Sequence, residues 1–181
     1  MLKKITWQDG TILSLKLRDD LYTLVQMRED YYLEFFDIKN SRDEWSDIDL
    51  GKTDILFFNF TATKALKTLA ISAPPLEKVA ADNRRPQRIL LRAIIGGNYG
   101  ADLIELTDSL EDFDATVLKS NLTLENDLET IYRYELSGII GDPEKLRNRL
   151  INYFDNGVNW DEAKAFLFKG ISPPPAKKSK P

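Results

Sequence analysis

A chain of 181 residues, 43% hydrophobic and 30% charged, is long enough to bury a sizeable core in one large domain or two small ones. Its 25 basic and 29 acidic side chains leave a formal net charge of −4, and it contains neither His nor Cys. Their absence excludes a nucleophile–histidine pair, a thiolate, a haem ligand and zinc held by its usual ligands, leaving carboxylate, Lys, Tyr or Ser chemistry, or binding without chemistry.

The first predicted element is a half-buried strand over Thr11–Leu17, with Leu13, Leu15 and Leu17 on one face and Ser14, Lys16 and Arg18 on the other. Polar turns at Arg18–Asp20 and Arg28–Asp30 link it to strands Leu21–Met27 and Tyr31–Asp37, giving an antiparallel meander. In Tyr31-Tyr32 and Phe35-Phe36 the strand period buries one member of each pair. An acidic loop from Asn40 to Asp54 precedes a fourth, apolar strand at Ile55–Phe60, and a fifth at Leu69–Ser72 stops before Pro74 and Pro75. Five short strands predict a small half-open antiparallel β-barrel over residues 1–75.

Residues 76–87 read as a linker, ending in Ala80–Pro86. Beyond it Arg88–Ile95 and Ala101–Leu106 predict a hairpin around Gly96-Gly97-Asn98-Tyr99-Gly100. Residues 124–139 fit two periods: Leu124, Leu128, Ile131 and Tyr132 recur at helical spacing, while Ile131–Ile139 alternates like a strand. Asp142 is an N-cap, Pro143 takes the first helical position, and Leu146, Leu150, Tyr153 and Phe154 form the apolar stripe of a helix ended by Gly157. A second helix, Trp160–Phe168, starts from Asn159 and stops at Gly170. The Pro- and Lys-rich residues 171–181 read as a disordered tail. The fold class is therefore α+β: the N-terminal half-open barrel followed by a mixed hairpin-plus-helix region, residues 88–170, packed on it.

Charge is segregated along the chain. Residues 29–54 hold nine acidic side chains against three basic and residues 102–129 nine against one, −14 in all, whereas residues 64–92 hold seven basic and two acidic. The acidic runs serve either as solvated faces or as a docking surface for a basic partner. The candidate binding set is Asp43, Glu44, Trp45, Asp47 and Asp49, with Trp45 either an aromatic anchor among carboxylates or a ring folded back on the barrel, joined by Glu111, Asp112 and Asp114. The carboxylate spacing of residues 43–49 approximates a calcium loop, but no Gly falls at its sharp turn and no Glu closes it, so no metal is expected. Gly96–Gly100 lacks the Lys-Ser/Thr of a phosphate loop, and no cofactor is expected. Arg84, Arg85, Arg88 and Arg92 are candidates for gripping phosphate, although the acidic composition makes nucleic acid a poor partner. The carboxylate pairs Glu111 with Asp114 and Asp127 with Glu129 are open to acid–base work, but no catalytic residue is assigned. The longest apolar runs, such as Ile55–Phe58, fall far short of the roughly 20 residues of a membrane span. Met1–Lys4 leads into a polar turn and not into an apolar signal core, so a cytoplasmic location is expected.

The run Lys4-Ile5-Thr6-Trp7-Gln8-Asp9-Gly10-Thr11-Ile12-Leu13-Ser14-Leu15, followed by Tyr22–Gln26, Leu33–Ile38 and Ile55–Phe57, resembles the twenty-sixth immunity-protein family of bacterial toxin systems. The resemblance covers roughly residues 4–75, with a weaker echo at Gly138–Asn156. It implies a non-enzymatic protein that binds and neutralises the C-terminal domain of a cognate toxin, often a nuclease, in contact-dependent inhibition and related interbacterial competition. An acidic surface suits that task, because a nuclease presents a basic cleft to phosphate. Two other functions stay open at this point: a small-barrel adaptor for a peptide or nucleic acid, and a carboxylate-dependent enzyme.

Overall fold

Alternating apolar residues at the N-terminus build a curled sheet in a computed structural model that describes residues 2, 4–96, 99–108 and 113–177. The chain gathers into two compact units, Met1–Pro86 with Ile139–Asp155, and Gln87–Gly138 with Asn156–Pro181. The fold is α+β, and the curled sheet of the first unit forms a half-barrel.

In the first unit, strands β1 (Ile12–Arg18), β2 (Leu21–Met27), β3 (Tyr32–Asn40), β5 (Ile55–Thr61) and β6 (Ala70–Ser72) pair antiparallel. A sixth strand, β11 (Ile139–Ile140), joins β5 in parallel, giving the order β11-β5-β3-β2-β1-β6. Register shifts within β1, β2 and β3 mark bulges, which increase local twist and let the sheet curl. One face carries Leu13, Leu15, Leu17, Val25, Met27, Leu33 and Phe35, covered by Leu66 and Leu69 of helix α1 (Thr63–Leu69) and by Leu146, Leu150, Tyr153 and Phe154 of helix α3 (Pro143–Asn156). Asp142 caps α3 as expected, its Oδ1 accepting from the Glu144 and Lys145 amides at 2.9 and 3.2 Å.

The sheet differs from the half-buried barrel wall expected of it. Ser14, Phe35 and Phe36 are all fully buried, because Trp45, Leu50 and Val79 cover the second face over Ile12, Leu24 and Phe36. The residues expected as a linker take part in this layer. Val79–Ala80 forms β7, which pairs in parallel with β4 (Ile48–Asp49) from within the acidic loop, and Asp82 is completely buried.

In the second unit, β8 (Ile89–Ile94) and β9 (Gly100–Glu105) form the expected hairpin, whose turn includes residues 97–98, outside the described residues. Strand β10 (Thr116–Lys119) lies outside β9. The ambiguous stretch becomes helix α2 (Leu124–Arg133): Thr123 Oγ1 accepts from the Asn126 amide, and the Asp127 carboxylate accepts from the Thr123 amide at 3.0 Å. Helix α4 (Ala163–Leu167) is shorter than expected, since Asp161 and not Asn159 satisfies its first turn. The core gathers Leu91, Ala101, Leu122, Ile131, Leu136, Leu167 and Phe168.

The tail is not the free segment expected from its composition. Ile171 packs against this core, the Tyr132 hydroxyl donates to Ser172 O at 3.0 Å, and the Lys177 amide donates to Gly157 O at 2.8 Å. Residues 178–181 lie outside the described residues.

Candidate functional site

The acidic loop that follows β3 is built from its own side chains. Asn40 accepts from the Ser41 amide at 2.8 Å and donates to Glu44 O at 2.6 Å, a local turn that starts the loop. Trp45 then points inward and is only 7% exposed, folded back on the sheet as the second of its two readings has it. Its indole N–H is shared between Ser14 Oγ at 3.1 Å and Asp43 Oδ1 at 3.0 Å. Asp47 follows with φ +56°, a left-handed conformation that Asp tolerates better than most residues.

The far end of the loop is fixed by Asp49. Its Oδ1 accepts from the Gly51 amide at 3.0 Å, its carbonyl from Thr53 Oγ1 at 3.0 Å, and its Oδ2 pairs with Lys52 at 2.9 Å. The Lys52 hydrogen bond holds the Asp49 carboxyl below the usual range. Asp43, Glu44, Asp47 and Asp49 thus share one ordered loop, in which Glu44 and Asp47 are exposed. Asp114 is in the second unit, exposed and accepting from Thr107 Oγ1 at 3.0 Å, and Glu111 and Asp112 lie outside the described residues.

Beneath the loop lies a charged cluster with no counterpart in the sequence reading. Gln26 clasps the backbone of Asp82, donating to its carbonyl at 2.8 Å and accepting its amide at 2.7 Å. Arg28 donates from Nε to Glu34 Oε2 at 2.7 Å and pairs with Asp82 at 3.6 Å. Burial pushes the Glu34 carboxyl up despite Arg28, and its Oε1 has no hydrogen-bond partner. Burial also pushes Asp82 up, but the hydrogen bonds from Arg84 outweigh it and leave that carboxyl below its usual range. Arg84 carries the cluster to the loop: its Nη2 pairs with Asp82 at 2.8 Å and donates to the carbonyls of Leu50 and Thr53 at 3.1 and 2.8 Å. The signal in the sequence is Gln26 and Glu34, polar residues set opposite each other and flanked by apolar neighbours in β2 and β3. Gln26 finds its partner, Asp82, 56 residues away, which no periodicity reports.

The basic residues considered as phosphate ligands are engaged within the chain. Arg84 serves the loop, while Arg88 pairs with Asp108, and Arg92 with Asp102 at 3.4 Å. Lys119, the single base in residues 102–129, pairs with Asp127 at 2.6 Å. Among the described residues no group of three or more carboxylates is gathered as metal ligands, and no helix is long and apolar enough to cross a membrane. What the arrangement offers is a fixed display of charge.

The model of a family described as a domain of unknown function, DUF8309, matches residues 2–172. The chain belongs to that family. The DUF8309 match runs through both compact units and through the loop and the buried cluster alike. No curated protein and no solved structure matches the chain.

Proposed function

We propose that this chain is a non-enzymatic immunity-type protein that binds a basic toxin domain in the cytoplasm of the producing cell, using the Asp43–Asp49 loop as an acidic docking site. The observation that carries the reading is the preorganisation of that loop. Trp45 pins it to β1 from within, Asp49 caps its end, and Arg84 ties its last carbonyls to a buried cluster. Ordering a loop before binding removes a cost that association would otherwise meet, and exposed carboxylates steer a basic partner into contact. The N-terminal resemblance to toxin-immunity proteins supports the choice of partner.

The test is protection. A toxin domain encoded beside this gene should arrest growth when expressed alone, and co-expression of this chain should restore it. Glu44→Lys with Asp47→Asn removes exposed charge without touching the loop's internal bonds, and should slow association roughly tenfold, as loss of rim charge does. Absence of protection, or a reproducible turnover lost on substitution of one Asp or Glu, would overturn the reading.

A further inference from the structure

Strand β10 is the outer strand of the sheet β10-β9-β8, and all four of its residues are exposed. Val117 and Leu118, 41% and 45% exposed, are adjacent, and adjacent strand residues project to opposite faces, so each face of β10 is partly open among the described residues. Among those residues no strand pairs with its outer edge. Phe113, 78% exposed, stands just before it. An uncovered apolar edge strand is a template for another chain, and soluble proteins usually blunt one with a free Lys or a Pro. Here the strand contains no Pro, and the Lys119 charge is drawn off to Asp127.

Charge selects the occupant. The stretch 102–129 holds nine acidic residues against one basic; Asp102, Asp108 and Asp127 are paired with Arg92, Arg88 and Lys119, while Glu105 lies directly across from Thr116 and Asp114 is exposed beside the strand. A second copy would bring two such stretches together. A cationic segment would relieve the repulsion within one.

We infer that β10 is the docking edge for an extended segment of a partner protein in which Lys or Arg alternates with β-branched or aromatic residues, added as a further strand of this sheet. Main-chain hydrogen bonds supply the affinity, and the acidic surroundings with Val117 and Leu118 select the sequence. The inference goes beyond the immunity reading: it needs no toxin, and it concerns the second unit, whereas the Asp43–Asp49 loop belongs to the first.

The probes are synthetic peptides of about ten residues, a typical upper strand length: one alternating Lys and Val, one alternating Glu and Val, and a Lys–Val peptide with N-methyl groups along one backbone edge. Against the full chain, fluorescence anisotropy should show salt-dependent binding of the Lys–Val peptide, with both other peptides weaker by about tenfold or more, or some 1.4 kcal/mol. Hydrogen exchange of the amides at 116–119 should slow on binding. Val117→Lys with Leu118→Lys should lower affinity by about tenfold, while Glu44→Lys with Asp47→Asn leaves it unchanged, which separates this edge from the loop. Equal binding of the Lys–Val and Glu–Val peptides, tolerance of the N-methyl groups, or unchanged exchange at 116–119 overturns the inference. So does sedimentation showing a dimer of the wild type that the double lysine variant abolishes, since the edge then belongs to a second copy.

Discussion

The indole of Trp45 does its work from inside. Because it fills the second face of the half-barrel, Trp45→Ala removes a large buried ring and should cost about 3–5 kcal/mol in urea denaturation. Trp45→Phe keeps most of the volume but strands Ser14 Oγ and frees Asp43, and should cost less while still loosening the loop. Glu34 makes a different prediction, about pH. Its folded-state carboxyl is raised by burial, so its contribution to stability is present below the unfolded value of about 4.3 and is lost as pH rises through the folded value. Asp82, Asp49 and Asp127 run the other way, contributing above their unfolded value of about 3.9 and losing that contribution on acidification. The stability of Glu34→Gln relative to wild type should therefore increase as pH rises above about 4.3. A flat or falling difference in pH-resolved urea melts would refute the assignment.

Among the elements, α3 and the tail are most open to test. Asp142→Ala removes the acceptor for two first-turn amides of α3 and should cost about 1 kcal/mol by thermal or urea unfolding. Gly157 has φ +72°, and a Cβ there would sit 2.8 Å from Lys177 O. Gly157→Ala should thus carry two costs: the left-handed backbone, about 1–2 kcal/mol, and a clash with the tail. Truncation after Ser172 removes only the second, so the substitution should cost less in the shortened chain than in the full one. Equal costs would mean that the tail does not dock at Gly157. These elements also show what a sequence makes legible. The meander strands and α3 announce themselves by period, by Asp142-Pro143 and by Gly157, since each signal is local. Helix α1 buries Ala65, Leu66 and Leu69, but seven residues between strands give too short a stripe to register. The acidic loop was visible as charge, whereas the inward turn of Trp45 and the Gln26–Asp82 clasp depend on pairings distant in the chain.

At the scale of the molecule, the first unit takes its two halves from positions more than 50 residues apart. Contiguous stretches of pattern predict contiguous units, which is why residues 1–75 read as a barrel while the cover of their sheet lay in Leu146, Leu150, Tyr153 and Phe154. A fragment ending at Pro86 retains five strands of the sheet but lacks β11 and α3. It should show no cooperative urea transition and should bind a dye for exposed apolar surface; a sharp two-state melt would contradict the dependence on α3.

That split has a consequence in time. On a ribosome adding roughly 5–20 residues per second, the interval between the emergence of Pro86 and that of Asp155 is on the order of 3–14 seconds. A hairpin forms in about 1–10 microseconds, so the leucine-bearing strands can collapse, without the fixed packing that α3 supplies, long before that helix has been made. Until α3 emerges, the apolar face it will cover has, of its two helices, only Leu66 and Leu69 of α1 against it, so nascent chains should aggregate more readily than the finished protein.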